Sequence, residues 1–520
     1  MARSNLSNSR TGADLAQATR LMAAGKTARA ERILRKLLKS DPANAEALHL
    51  AGVARHRAGK PAQAVDLVEK AIRAAPRDAR FHRTLGDILH TGGRHEEAAA
   101  CYRAVTALDP GDAATHAALA EALMQLERID EALDSYQAAL RLAPDDITTL
   151  FGHGNALCAA GRRDGALAAY RAVLALQPHF VPVYLKLGEL LRDMGRLDES
   201  FQVLQDGARL KYAPIDLSED IIQKSAPASD AKLRHDAEQI DYLIGRGILV
   251  ADYAVHAQTY RRLADAGAGK RAATDFYRLP LTERRSVAKV YNRLVHLDPA
   301  PRLDRPAVNP AIDRTAIESD YHATKREITY FDDFLTDEAL RKIRAFCLES
   351  TIWFTHYQNG YVGAFLGDGF ASPLLAQIAE ELPAALPGIF GGHKLHQAWA
   401  FKYDSRLSGI NMHADFAAVN VNFWITPDDA LEDKETGGLI VWDKQAPLDW
   451  DFDKFNNDQD AMRKFLADNH AKPVRIAYRQ NRALVFNSDL FHETDRIVFR
   501  EGYENRRINI TLLYGRRENA

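Results

Sequence analysis

His413-Ala414-Asp415 sets an imidazole and a carboxylate one residue apart, and a second imidazole, His492, follows 79 positions later in Leu490-Phe491-His492-Glu493-Thr494-Asp495. Side chains on a strand alternate with a period of two, so residues 413 and 415 point the same way. Two imidazoles and one carboxylate can cover one face of an octahedral ferrous ion and leave three positions open. By itself the triplet is a weak signal, because a turn aspartate and a core histidine give the same letters.

The chain that must position these groups has 520 residues, which predicts two or three domains. It is 46% hydrophobic and 27% charged, an ordinary globular composition. A net charge of −2 argues against nucleic-acid binding, which usually shows a basic excess. The first residues have no apolar h-region, so no signal peptide is expected. No apolar run approaches the roughly 18 residues of a membrane span. Cys101, Cys158 and Cys347 form neither a disulfide framework nor a zinc pattern. A reducing cytoplasm is the expected home.

A 34-residue period runs through the first third. It is marked by Pro42, Pro76, Pro110, Pro144 and Pro178, and by Gly25, Gly59, Gly93, Gly161 and Gly195, with Glu127 in the missing slot. Small residues recur at Gly52, Gly86, Ala120, Gly154 and Gly188, and tyrosines at Tyr102, Tyr136 and Tyr170. Proline ends a helix because it lacks an amide donor and clashes with the preceding turn. The pattern resembles the tetratricopeptide repeat. That resemblance implies six two-helix units over residues 11–214, an aromatic filling the gap to the neighbouring repeat, and a concave groove for a protein or peptide. The groove positions it implies hold Val53, Asp87, Glu121, Asn155 and Glu189, then His56, His90, Met124, Cys158 and Arg192, a mildly acidic floor.

From 215 to 324 the period is lost. Residues 230–244 have helical spacing, and 281–291 read as another helix with Thr282 as its N-cap. Pro299, Pro301, Pro306 and Pro310 predict an extended linker or an irregular cover. Beyond 325 the sequence predicts a short strand at 328–331, a helix at 337–349 capped by Thr336, and a second helix near 374–382. Strands follow at 396–403, 419–426, 439–442, 474–478, 483–486 and 507–513. Many short antiparallel strands suggest a jelly-roll-like barrel with helices on one outer sheet.

With Tyr403, the strand 421–427, Gly437-Gly438, the segment 482–492 and Arg507-Ile508-Asn509, residues 325–516 resemble the Fe(II)/2-oxoglutarate-dependent dioxygenases, in the style of the prolyl-4-hydroxylases. The resemblance implies a double-stranded β-helix of the jelly-roll or cupin kind. It implies His413, Asp415 and His492 as ligands of Fe(II), with 2-oxoglutarate and O2 as co-substrates and ascorbate as an accessory reductant. One carboxylate of 2-oxoglutarate chelates the iron in this family. The other needs a cation, best a bidentate guanidinium.

Arg506 and Arg507 compete for that role. Ile508, Ile510 and Leu512 share one strand face, and Arg507, Asn509 and Thr511 the other, so parity favours Arg507. Arg506 is then a surface arginine at the strand mouth, and a register slip would exchange the two. Tyr403 resembles the tyrosine that hydrogen-bonds the co-substrate, with a core tyrosine as the alternative. Asn422 and Asn509 are further candidates for the pocket wall. An insertion rich in Asp and aromatics at 445–458, with a helical piece at 461–469, departs from the prolyl-hydroxylase pattern. It is expected beside the active-site mouth as a lid or specificity loop.

The expected chain is therefore multidomain: an all-α repeat solenoid at 11–214, a helical bridging region with a Pro-rich linker at 215–324, and an oxygenase domain at 325–516. The expected activity is hydroxylation of a protein or peptide docked by the repeats, with no nucleic-acid or membrane partner. Two alternatives stand beside it, an interaction scaffold with an inactive oxygenase fold and a hydroxylase of a small molecule.

Overall fold

The computed structural model describes residues 2–213, 222, 227–323, 327–405, 407 and 409–517, with side chains from residue 11 onward. The expected boundaries at 214–215 and 324–325 lie outside the described residues. The chain divides into two compact units, Met1–Val183 and Tyr184–Ala520. The division passes through the helix Val181–Asp193. No helix among the described residues is long and apolar enough to cross a membrane.

The first unit is a solenoid of helix pairs: Ala2–Ala23 with Thr27–Ser40, Ala45–Arg57 with Pro61–Ala74, Ala79–Thr91 with His95–Leu108, Ala113–Gln125 with Ile129–Leu142, and Ile147–Ala159 with Arg163–Leu176. Every second helix stops two residues before its proline. The next helix then opens on a side-chain cap. Asn44, Asp78, Asp112 and Asp146 accept from the amides of Ala47, Arg80, Thr115 and Thr149. Such a cap contributes about 1 kcal/mol.

The small-residue register has a direct steric reason. A methyl group added at Gly86 would lie 2.6 Å from the Tyr102 ring, and one at Gly154 would lie 2.5 Å from Tyr170. These tyrosines therefore pack on the glycine of their own repeat. Their hydroxyls donate to Asp87 (2.9 Å) and Asn155 (2.7 Å). Tyr136 reaches forward onto Gly152 of the next repeat. Gap-filling between repeats is thus seen at Tyr136, while Asp87 and Asn155, two expected groove residues, are engaged in bonds within their repeat.

The second unit carries the helix Leu197–Tyr212 and then Asp230–Gly245, Ala254–Gly267, Leu281–Val287 and Arg314–Ala323. Thr282 is not a cap. The helix at 281 starts on Pro280 with no side-chain cap, and Thr282 lies inside its first turn. The Pro-rich segment is an irregular cover on the helix Pro373–Ala385. The Leu303 amide donates to Gln377 (2.8 Å), and the amides of Ala307 and Val308 both donate to Glu381 (2.7 and 2.8 Å).

The strands are β1 (Ile328–Phe331), β2 (Thr355–His356), β3 (Tyr361–Phe365), β4 (Leu395–Tyr403), β5 (Val419–Trp424), β6 (Leu439–Gln445), β7 (Pro473–Ile476), β8 (Ala483–Asn487), β9 (Leu490–Thr494) and β10 (Ile508–Tyr514). They form one sheet in the order β1-β8-β5-β10-β4-β3-β2 and another in the order β7-β6-β9. Every pairing is antiparallel. Ala398, Ala400, Val421, Phe423, Ile510 and Leu512 turn toward Ile343 and Phe346 of the helix Asp337–Glu349 and toward Leu375 and Ile378 of Pro373–Ala385. On the other face Phe401, Tyr403, Trp424 and Leu484 share a core with Leu439, Val441 and Ile476 of the small sheet. Alternation along each strand thus separates a helix-packed side from an inner side.

Glu127 tests the repeat turns. It takes a φ of 57° where the other repeats place glycine at 69° to 75° in this unit. A left-handed conformation costs a side-chain-bearing residue roughly 1–2 kcal/mol, part of which glycine's flexibility gives back. Glu127→Gly should stabilise the repeats by about 1 kcal/mol in urea unfolding followed by circular dichroism, and Glu127→Ala should give no gain.

Candidate metal centre

His413 and Asp415 lie between β4 and β5, and His492 lies at the centre of β9. The backbones of His413 and His492 form a bridge in which each amide donates to the other's carbonyl, at 3.0 and 2.8 Å. This pairing closes the long sequence interval. The ligand atoms of His413, Asp415 and His492 all lie within 4.8 Å of one another. His413 Nε2 is 3.7 Å from Asp415 Oδ1, and His492 Nε2 is 3.4 Å from Oδ2.

Each ring is held by a carbonyl two residues before it. His413 Nδ1 lies 2.9 Å from Asn411 O, and His492 Nδ1 lies 3.0 Å from Leu490 O. A carbonyl can only accept, so Nδ1 carries a proton in both rings, and in the neutral form of each ring Nε2 keeps its lone pair. Burial, aided by the neighbouring His492, pushes the His413 imidazole down to about 4 and keeps it neutral. Two lone pairs and a carboxylate then face one small space. Three such donors repel one another unless a cation lies among them, and the set fits a divalent metal ion.

Arg507 is 1% exposed. Its Nε donates to Gly437 O (2.6 Å) and its Nη2 to Gly438 O (3.3 Å). The guanidinium lies 4.7 Å from the centre of the Tyr403 ring and 5.7 Å from that of Trp424. Nη1 is buried without a hydrogen-bond partner among the described residues. An unpaired buried donor of this kind costs on the order of 1–3 kcal/mol, and a ligand carboxylate would satisfy it. Arg506 is not a surface arginine. It is 6% exposed and pairs with Glu238 (2.9 Å) and Asp404 (3.2 Å). Two adjacent arginines thus serve opposite sides of the sheet.

Asn422 and Asn509 also lie inside, but they are bonded to each other. Asn509 Nδ2 donates to Asn422 Oδ1 (2.7 Å), and so does Thr511 Oγ1 (2.9 Å). Asn422 Nδ2 donates to Asn420 Oδ1 (2.6 Å), and Asn420 Nδ2 donates to Asp415 Oδ2. The candidates for the co-substrate wall are links in a chain of amides that ends on the Asp415 carboxylate of the candidate centre. Sequence reasoning missed Asn420, although the period of two that singles out Asn422 also reaches it.

A cleft of about 550 Å³ opens on His413 and Asp415, lined by Tyr361, Trp399 and Phe401 of the large sheet and by Phe452, Asn456 and Gln459 of the insertion. That volume suits a small ligand or part of a larger one. The insertion forms the helices Phe452–Asn456 and Gln459–Asp468. The Ala414 amide donates to Phe455 O (3.1 Å), and Gln459 Nε2 donates to Met412 O (2.7 Å). Phe455, Met462 and Leu466 pack with Met412, Ala414 and Phe491. The insertion therefore steadies the ligand-bearing loop as well as lining the cleft.

Asn420→Ala frees one oxygen of Asp415 and should weaken Co(II) binding about tenfold, in the range of lost supporting bonds around metal ligands. His413→Ala should abolish stoichiometric binding. Visible absorbance during Co(II) titration reads both. Wild-type affinity in Asn420→Ala would detach the amide chain from the metal centre.

Similar solved structures include MamA, with 21% identity over 31% of this chain and 94% of that one at a TM-score of 0.30. Another is YrrB, described as a TPR protein with an unusual peptide-binding site, with 17% identity over 34% of this chain and 92% of that one at 0.32. A third is pilF of Pseudomonas aeruginosa, with 21% identity over 39% and 92% at 0.35. No curated protein matches the chain. Sequence models of the tetratricopeptide repeat match residues 15–79, 49–113 and 83–147, and a second model of that repeat matches 157–211. Residues 15–147 and 157–211 are tetratricopeptide repeats.

Proposed function

We propose that the β-rich part of the second unit is an Fe(II)- and 2-oxoglutarate-dependent hydroxylase on a jelly-roll, double-stranded β-helix fold, and that the repeats recruit its protein or peptide substrate. One observation carries the reading: His413, Asp415 and His492 bring three candidate ligand atoms within 4.8 Å of one another. The unpaired Arg507 Nη1 supports it.

His413, Asp415 and His492 would hold the ion, with Asn411 O and Leu490 O fixing the two rings. When bound, the ferrous ion supplies O2 activation, with electrons from oxidative decarboxylation of 2-oxoglutarate to succinate and CO2. Arg507 takes the distal carboxylate of 2-oxoglutarate, with the Tyr403 ring beside it. Trp399 and Phe401 give the cleft an apolar wall that keeps water from the reacting groups.

The repeat matches favour a second reading, a scaffold whose β-rich part has no turnover. Those matches end at residue 211, so they speak for interaction and not for chemistry. Succinate release separates the two. The wild type with Fe(II) and 2-oxoglutarate should release succinate, and His413→Ala should release none. Arg507→Gln should raise KM for 2-oxoglutarate about tenfold, since it removes a charge-assisted bond. Equal release from the wild type and His413→Ala would leave the scaffold reading standing.

A further inference from the structure

The cleft has one end whose chemistry differs from the rest. Its lining includes Tyr361, Trp399, Phe401, Asn359, Asn456 and Gln459 but no Lys or Arg among the described residues. His396 also lines it, for an unusual reason. In the β4–β10 pairing Gln397 faces Leu513 and Leu395 faces Tyr514, so His396 is an extra residue in β4. A bulge re-aims the side chain it carries. Regular alternation would have turned His396 with Ala398 and Ala400 toward the helices.

Cations gather beside this bulge at the end of the helix Val181–Asp193. Lys394, two residues before His396, donates to Asp193 O (3.0 Å). The Gly515 amide donates to Lys394 O (2.9 Å) and brings Arg516 to the same sheet end. Arg516 lies 4.0 Å from the Asp193 carboxylate and is 66% exposed. Arg192 is 8% exposed, and its Nε has no hydrogen-bond partner among the described residues. Burial first, then the charges of Arg192 and Arg516, push the His396 imidazole down, against Asp193 and Glu189. Glu189 is already paired with Lys186 at 3.0 Å.

We propose that Arg192 and Arg516, with His396, form a rim that binds an acidic side chain of the peptide held in the cleft. The proposal rests on the cleft being the substrate site of the preceding reading. Aromatic rings and amides suit an uncharged stretch of peptide, and the rim supplies guanidinium groups for a carboxylate just beyond it. A strand advances roughly 3.4 Å per residue, so His396 lies roughly 10 Å along β4 from Trp399. An extended peptide covers that span in about three residues. The acidic residue therefore stands about three positions from the residue against Trp399.

The test uses the full-length protein on an array of short random peptides capped at both ends. Bound peptides should be enriched in Asp or Glu at one fixed offset from an uncharged stretch. The double variant Arg192→Gln, Arg516→Gln should lose that enrichment. Arg516→Glu alone, a change at an exposed position, should shift it toward Lys and Arg. In anisotropy measurements, changing the acidic residue of a selected peptide to its amide should weaken wild-type binding about tenfold and leave binding by the neutral double variant unchanged. Absence of acidic enrichment, the same enrichment in the variants, or no bound peptide overturns the rim. So does a preference that appears only when the peptide C-terminus is left free. Co(II) binding and succinate release read the hydroxylase separately, so loss of either with the acidic preference intact sinks that activity and not the rim.

Discussion

Two backbone carbonyls decide what the candidate centre can be. Asn411 O and Leu490 O accept from the Nδ1 atoms of His413 and His492, which fixes the tautomer that leaves Nε2 free in the neutral ring. With the opposite tautomers, two N–H groups would meet Asp415 and form ordinary hydrogen bonds. Both carbonyls are placed by the backbone bridge between His413 and His492. One residue of slip in β9 would carry His492 to the other face and dissolve the set.

The large sheet works as a partition with a different chemistry on each side. Arg506 serves the helix side, where Glu238 and Asp404 neutralise it. Arg507 serves the inner side, where carbonyls hold two of its nitrogens and leave the third unpaired. β5 repeats the division: Asn420 and Asn422 join the inner polar chain, while Val421 and Phe423 enter the helix-packed core. Position in the alternation, more than residue type, sets the environment of each group.

Much of this was legible because the signals are periodic. The 34-residue spacing gives the repeats, and alternation gives β5, β10 and the part of β4 beyond the bulge at His396. β3 was missed because Tyr361, Val362, Gly363 and Ala364 are all buried and show no alternation. β9 was missed because His492, Glu493 and Thr494 interrupt its apolar pattern. The helix Ala254–Gly267 buries mainly small residues and glycine beside Tyr260 and Leu263, which gives a faint stripe. At the site, residue types pointed to His413, Asp415 and His492, which the fold brings together, and parity put Arg507 on the inner side of the sheet. The burial of Arg506 had no local sign, since its partner Glu238 lies 268 positions away. The ring tautomers and the amide chain behind Asp415 are properties of three-dimensional packing.

The bond from the Ala414 amide to Phe455 O has a mechanical meaning. Ala414 stands between two of the candidate ligands, so the insertion that lines the cleft is hinged to the candidate centre itself and is no free flap. Swinging that segment outward means releasing a backbone proton one residue from His413 and one from Asp415. Opening of the cleft and slackening of the candidate centre are then a single motion, and the exchange of that one proton with solvent keeps time for both.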